Sequence, residues 1–116
     1  MLNLFQYHTR QRKTVNQFQY HIKMKTSYTY ILTNKYRTTF YIGVTSNLNK
    51  RTTEHQNGIG SEFTKKYDFK DLIYFEEFTD INQAIAREKQ IKNWKKEWKL
   101  NLIKEKNPIL ETLKIM

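Results

Sequence analysis

The feature that most constrains this chain is a change of hydrophobic period partway through it. From Ser27 the pattern alternates: Tyr28, Tyr30 and Leu32 interleave with Thr29, Ile31 and Thr33, the signature of a strand with one face buried. Asn34 to Arg37 form a polar turn, and Thr39 to Val44 predict a second strand with Phe40, Ile42 and Val44 on one face and Tyr41 and Gly43 on the other. Two strands this close in sequence predict an antiparallel hairpin. The period then lengthens. Ser46 or Asn47 can cap a helix over Leu48 to Asn57, with Gly58 at its C-terminal end, so that Arg51 and His55 at i and i+4 share one helix face.

The same alternation of periods continues downstream. NGIG at 57–60 reads as a loop, a short aromatic and basic stretch follows, and DLIYFEEF at 71–78 predicts a third strand. Asp80 with Gln83 three residues later resembles a capping box. The helix behind it repeats Ile81, Ala84, Ile85 and Ile91, the period of one buried face, with Glu88 inside that stripe. Burying even a neutral polar group unpartnered costs on the order of 2 to 7 kcal/mol, so the Glu88 carboxylate requires a cation or donor. An ion pair with Arg87, Lys92 or another base meets that need structurally. Beyond Glu88, Lys89, Lys92, Lys95, Lys96 and Lys99 offer a phosphate-facing surface or a solvated outer face, while Trp94 and Trp98, at i and i+4, are expected to pack on the sheet.

Composition bounds what such a domain can do. The chain has 116 residues, enough for one ordinary domain, with an expected extent of 27–110 and a C-terminal tail at 111–116. Lys and Arg number 21 against 11 Asp and Glu, a formal charge of +10, and 15% of residues are aromatic. Lysines and arginines displace the counterions of a polyanion and aromatic rings offer stacking surfaces, so nucleic acid is the expected partner. Cysteine is absent, which excludes disulfides and thiolate metal sites and leaves oxygen or histidine nitrogen as metal ligands. No apolar run approaches the roughly 18 residues of a membrane span, so a cytoplasmic protein, monomeric and away from membranes, is expected. Residues 1–26 hold Arg10, Arg12, Lys13, Lys23 and Lys25 and no acid, and are expected to form a loosely ordered basic arm. Met24 offers a second possible start just ahead of the patterned region.

Taken singly, these residues have ordinary explanations: a strand tyrosine is most often core, and Arg51 can be a solvated helix face. Their order, however, resembles the GIY-YIG nuclease family. Tyr41-Ile42-Gly43 reproduces the second triplet literally, and Tyr28-Thr29-Tyr30 retains only the final tyrosine of the first. Arg51 follows Tyr41 by ten residues and His55 follows by four more, REKQIKNW at 87–94 resembles the glutamate-bearing helix, and Asn107 before Pro108 resembles a late asparagine. The likeness covers about residues 27 to 110 and is greatest to small stand-alone bacterial members, described as similar to the nuclease domain of a DNA-repair excinuclease. Where that repair nuclease carries a lysine after the second triplet, this chain has Val44.

The resemblance implies an α/β domain with a small three-stranded antiparallel sheet flanked by helices. It also implies hydrolysis of DNA phosphodiester bonds with one divalent cation, Mg²⁺ or Mn²⁺, held at Glu88. Tyr30 is then the expected general base, with Tyr41 as a second hydroxyl, Arg51 meeting transition-state charge and His55 orienting a tyrosine or the water. Arg51 and the metal are the cations expected to lower the tyrosine pKa. Asn107 is carried as a further site residue, Gly43 as the position that leaves room on the Tyr41 face, and Lys50, Lys89, Lys92, Lys95 and Lys96 as contacts to DNA. The alternative is a nucleic-acid-binding module that keeps the fold without turnover.

Overall fold

The computed structural model describes residues 26–59 and 62–115. The arm expected over 1–26 falls outside them except for Thr26. The elements run β1 (Ser27–Thr33), β2 (Phe40–Thr45), α1 (Leu48–Gln56), α2 (Glu62–Lys66), β3 (Asp71–Phe78), α3 (Ile81–Lys92) and α4 (Lys96–Lys106). The strands form one three-stranded antiparallel sheet in the order β2-β1-β3, so the expected hairpin is present and β3 closes the other side of β1. The sequence pattern predicted neither α2 nor α4 as a separate helix.

Because β1 is central, it is not the half-buried strand its alternation suggested. Tyr30, Ile31, Leu32 and Thr33 all have 1% exposure or less. Ile31, Ile42 and Ile73 form one core with Ile91, Leu102 and Ile103, which places α3 and α4 on that face. Tyr30, Leu32 and Leu72 form a second core with Leu48 of α1 and Phe69. A strand covered on both faces presents inward side chains in both directions, and alternation then reports the character of the two cores rather than water on one side. The C-terminal segment adds to the second core: Leu113 and Ile115 pack there, and the Leu113 amide donates to the Leu72 carbonyl at 2.8 Å. Arg37, at the hairpin turn with φ 56°, ties this segment down through bonds to the Leu110 carbonyl and Thr112 Oγ1 and a 2.6 Å ion pair to Asp71.

The expected stripe on α3 is only half right. Ala84 and Ile91 are fully buried, while Ile81 and Ile85 are 43% and 36% exposed. A buried ion pair supplies the reason. Glu76 of β3, 4% exposed, accepts from Arg87 Nε at 3.0 Å and from Arg87 Nη2 at 3.2 Å, and from the Tyr74 hydroxyl at 2.6 Å. Arg87 and Ile85 lie on opposite flanks of the Ala84–Ile91 line at about 100° per residue, so turning Arg87 toward Glu76 turns Ile85 toward water. Thr29 Oγ1 donates to the Ala84 carbonyl at 2.8 Å and holds the helix against β1 in that phase.

The basic helical region does not continue unbroken. Asn93 caps α3 and Lys95 takes an extended conformation (φ −63°, ψ 154°) before α4 begins. Trp94 and Trp98 therefore straddle a corner, in edge contact at 6.3 Å, rather than sharing a face of one helix. Trp94 packs on the first core, with Arg87 stacked 5.2 Å from its ring centre, but Trp98 is 51% exposed, against the expectation that both would pack on the sheet.

Candidate active site

The hairpin register sets the first contact of the site. Tyr30 pairs with Gly43, and a Cβ at Gly43 would lie 2.6 Å from Tyr30 Cζ and from its hydroxyl oxygen. The tyrosine ring lies over the glycine. Room at position 43 is thus taken by Tyr30 itself, a more specific role than space on the Tyr41 face. Tyr41, two residues earlier on the same face, packs at the edge of the second core.

α1 brings the remaining groups. Of the two candidate caps, Asn47 is the one used: its side chain accepts from the Lys50 amide at 3.0 Å. Starting there, the helix buries Leu48, Thr52 and His55, and a helix with that inward face carries Arg51 at its border. His55 closes a triangle of rings, with centroids 6.3 Å from Tyr30 and 6.1 Å from Tyr41, and 6.3 Å between the tyrosines. His55 is 4% exposed, and neither ring nitrogen has a hydrogen-bond partner among the described residues. Leaving such groups unmade costs about 1 to 3 kcal/mol, so this histidine is held at some cost to the fold. Burial pushes its pKa below the ordinary histidine value, Arg51 pushes it the same way, and Glu54 opposes them. His55 is therefore neutral at neutral pH.

Tyr30 has moved in the opposite direction from the one expected. Burial raises its phenol well above the usual tyrosine range and Tyr41 adds to the rise, while Arg51 lowers it by less. One guanidinium does not outweigh the loss of water. Arg51 is also partly engaged, with Nε 3.6 Å from Glu54. Glu88 belongs to the same electrostatic neighbourhood, since its charge is among those raising Tyr30. Its side chain, 16% exposed, is met by Lys92 Nζ at 2.6 Å, which is the structural answer foreseen for it.

The structure therefore gathers Tyr30, Tyr41, Gly43, Arg51 and His55 around one spot, with Glu88 acting on it. Asn107 is placed differently. Its Nδ2 donates to the carbonyls of Ile73 and Glu111, each at 2.9 Å, and its Oδ1 accepts from the Glu111 amide at 3.1 Å. An amide so fully committed joins α4, β3 and the C-terminal segment. Lys50, Lys89, Lys92, Lys95 and Lys96 are all exposed, Lys95 beside the Trp98 ring and Lys96 above Phe40. The Glu76–Arg87–Tyr74 cluster was missed by sequence reasoning, although parity could have found it: in DLIYFEEF, Glu76 shares the parity of Tyr74 and Phe78, both buried.

A divalent cation was expected here, and the donor set accommodates one. The described residues hold no cluster of three His, Asp or Glu side chains. Glu88 offers a carboxylate, already seating a cationic ammonium, and Mg²⁺ is commonly bound by one or two carboxylates with water and phosphate oxygens completing its octahedron.

A small antiparallel sheet flanked by helices, with two tyrosines and a histidine closed over a hairpin glycine, defines the class of protein. The chain belongs to the GIY-YIG family, whose catalytic-domain model matches residues 26–101. It is 40% identical over 81 residues to a UPF0213 protein of Clostridium perfringens, covering 70% of this chain and 86% of that protein. It is 34% identical over 83 residues to a UPF0213 protein of Staphylococcus haemolyticus, covering 72% of this chain and 100% of that protein. A UPF0213 protein from Bacillus halodurans, solved in solution by NMR, shares 25% identity and a TM-score of 0.48 over 72% of this chain and 88% of its own. GIY-YIG domains are in general those of endonucleases that use divalent metals, and the names of these relatives state no activity. Among the described residues no helix is long and apolar enough to cross a membrane.

Proposed function

We propose that this protein is a metal-dependent endonuclease that hydrolyses DNA phosphodiester bonds. The observation that carries the reading is the neutral, buried His55 with no hydrogen-bond partner among the described residues, closed against Tyr30 and Tyr41 beside Arg51. Such a group is costly unless something else uses it. In this mechanism the hydroxyls of Tyr30 and Tyr41 hold the attacking water against the phosphate. Tyr30 remains the candidate general base only with a stronger cation than Arg51 beside it, because burial keeps its proton on. His55 otherwise takes the proton of the attacking water, being neutral at neutral pH and within ring contact of both tyrosines that hold it. Arg51 faces the negative charge that develops on the phosphate.

Glu88 would hold the cation, which would neutralise the phosphate and stabilise the leaving oxygen. Lys92 has to release the carboxylate first, and at 52% side-chain exposure it can swing into water. Lys50, Lys89, Lys92, Lys95 and Lys96 supply phosphate contacts that position DNA without reading its sequence. A role in DNA repair or processing, in the cytoplasm and as a monomer, goes with this reading.

The second reading, a binding module without turnover, draws on the same Lys92–Glu88 pair, which satisfies the carboxylate without a metal. Nicking of supercoiled and branched DNA, with and without Mg²⁺ or Mn²⁺, separates the two. The parent protein is expected to nick only with metal, Glu88→Gln to lose cleavage while keeping its fold and most of its DNA affinity, and Arg51→Ala to lose about 10² to 10³ in rate. Absence of metal-dependent nicking, or equal nicking by Glu88→Gln, refutes the nuclease assignment.

A further inference from the structure

Two cavities line the outer side of β2, the edge strand of the sheet. One, of about 300 Å³, is bounded by Phe40, Tyr67, Lys96 and Lys99; the other, of about 320 Å³, by Phe40, Tyr41, Lys92 and Lys99. They share Phe40 and Lys99, so they form one furrow. No Asp or Glu is among the described residues lining either cavity. At one end lies Tyr67, 44% exposed, and at the other lie Tyr41 of the ring triangle and Lys92, the partner of Glu88.

Aromatic contacts run the length of this route. Tyr67 meets Phe69 at 6.0 Å with planes 36° apart, Phe69 meets Tyr41 at 5.8 Å with planes 34° apart, and Tyr41 meets His55 at 6.1 Å. Cations accompany the rings: Lys66 is 5.5 Å from the centre of Tyr67, and Lys96 is 6.0 Å from that of Phe40. Lys92, Lys96 and Lys99 all stand along the furrow.

Rings interleaved with lysines along a groove match one ligand chemistry, a single-stranded nucleic acid. Its phosphates follow the cations and its unpaired bases stack on the rings open to the groove, Tyr67 and Phe40, while Phe69, 3% exposed, backs them from the core. Duplex DNA offers the phosphates alone, because its bases are already stacked on one another, so the rings would be unused. We infer that the furrow along β2 binds an unpaired DNA strand and leads it to the ring triangle, making the substrate a junction between single and double strands. The inference rests on the nuclease reading for its endpoint and on the furrow alone for its ligand.

Binding therefore tests it independently of cleavage. Fluorescence anisotropy with the full chain in EDTA would compare a splayed-arm duplex with a blunt duplex of equal charge. The parent is expected to favour the splayed arm. Tyr67→Ala should lose on the order of tenfold on the arm and much less on the blunt duplex. Lys96→Ala with Lys99→Ala should reduce the salt slope on the arm by about 0.7 for each phosphate no longer neutralised. A 2-aminopurine in the arm should be quenched by the parent, unquenched with Tyr67→Ala and quenched again with Tyr67→Phe, which restores the ring. All these positions are solvent-accessible, and a thermal melt of each variant would check that it is folded. Equal losses on the blunt duplex, or no ring-dependent quenching, overturn the assignment. Loss of nicking with arm binding intact would instead count against the nuclease reading alone.

Discussion

Replacing Gly43 with alanine tests the centre of the site through a single methyl group. The added Cβ would meet Tyr30 Cζ and the hydroxyl oxygen at 2.6 Å and Cε1 at 2.9 Å. Carbon atoms at optimal separation stand about 3.5 to 4.0 Å apart, so the ring has to retreat by roughly 1 Å. It has nowhere easy to go. Tyr30 is 1% exposed, with Tyr41 and His55 packed against it and β1 fixed between two strands. Overpacking of this kind costs about 1 to 3 kcal/mol. For a domain near this size each kcal/mol is worth about 4 to 8 °C in Tm. A misplacement of about 1 Å can also cost on the order of 10²-fold in rate, so single-turnover cleavage on saturating DNA should fall with little change in affinity. Urea denaturation in two backgrounds isolates the cause. Leucine lacks the three ring atoms that the methyl would strike, so in a Tyr30→Leu background Gly43→Ala should cost less than about 0.5 kcal/mol, a coupling expected of residues in contact. Equal destabilisation in both backgrounds, or none in the parent, would refute the account of why position 43 is glycine.

Two further outcomes follow from other parts of the structure. Glu76→Gln leaves Arg87 charged and short of its partner, and removing one member of a buried pair costs about 3 to 5 kcal/mol, whereas Glu77→Gln on the exposed side of β3 should stay within about 0.5 kcal/mol; paired urea melts would reveal any failure of that contrast. His55 has its pKa lowered by folding, so the unfolded chain binds the extra proton: stability attributable to it is complete above the unfolded value of about 6.5 and is lost as pH falls from there through the lowered folded value. Denaturation from pH 7.5 to 5 should show this acid limb in the parent and a shallower one in His55→Leu, and identical limbs would show that His55 is not the group responsible.

Much of the site could be read locally along the chain. Period-two alternation gives the strands, a polar turn of few residues gives the hairpin, and a capped helix immediately behind β2 brings Arg51 and His55 to one end of it. Each of these depends on residues within a few positions of one another, where sterics and backbone hydrogen bonding act whatever the rest of the fold does. The basic, aromatic-rich composition likewise points to a polyanion from the sequence alone.

What the tertiary structure decided are the relations between elements. Tyr30 lies over Gly43 because the hairpin adopts one register, and a slip of one residue would send both side chains to the opposite face. His55 is buried while Arg51 is not, because α1 turns Leu48, Thr52 and His55 inward and meets the second core through Leu48. The phase of α3 follows from a carboxylate eleven residues before Arg87 on another element, which overrode the apolar stripe of Ile81 and Ile85. Asn107, which resembled a site residue, instead joins α4 to β3 and the C-terminal segment. The Tyr30 phenol, with a cation nearby in sequence terms, rises because burial outweighs that cation. Periodicity shows which face of an element is apolar, whereas burial, pairing and proton affinity depend on which other surface comes to cover it.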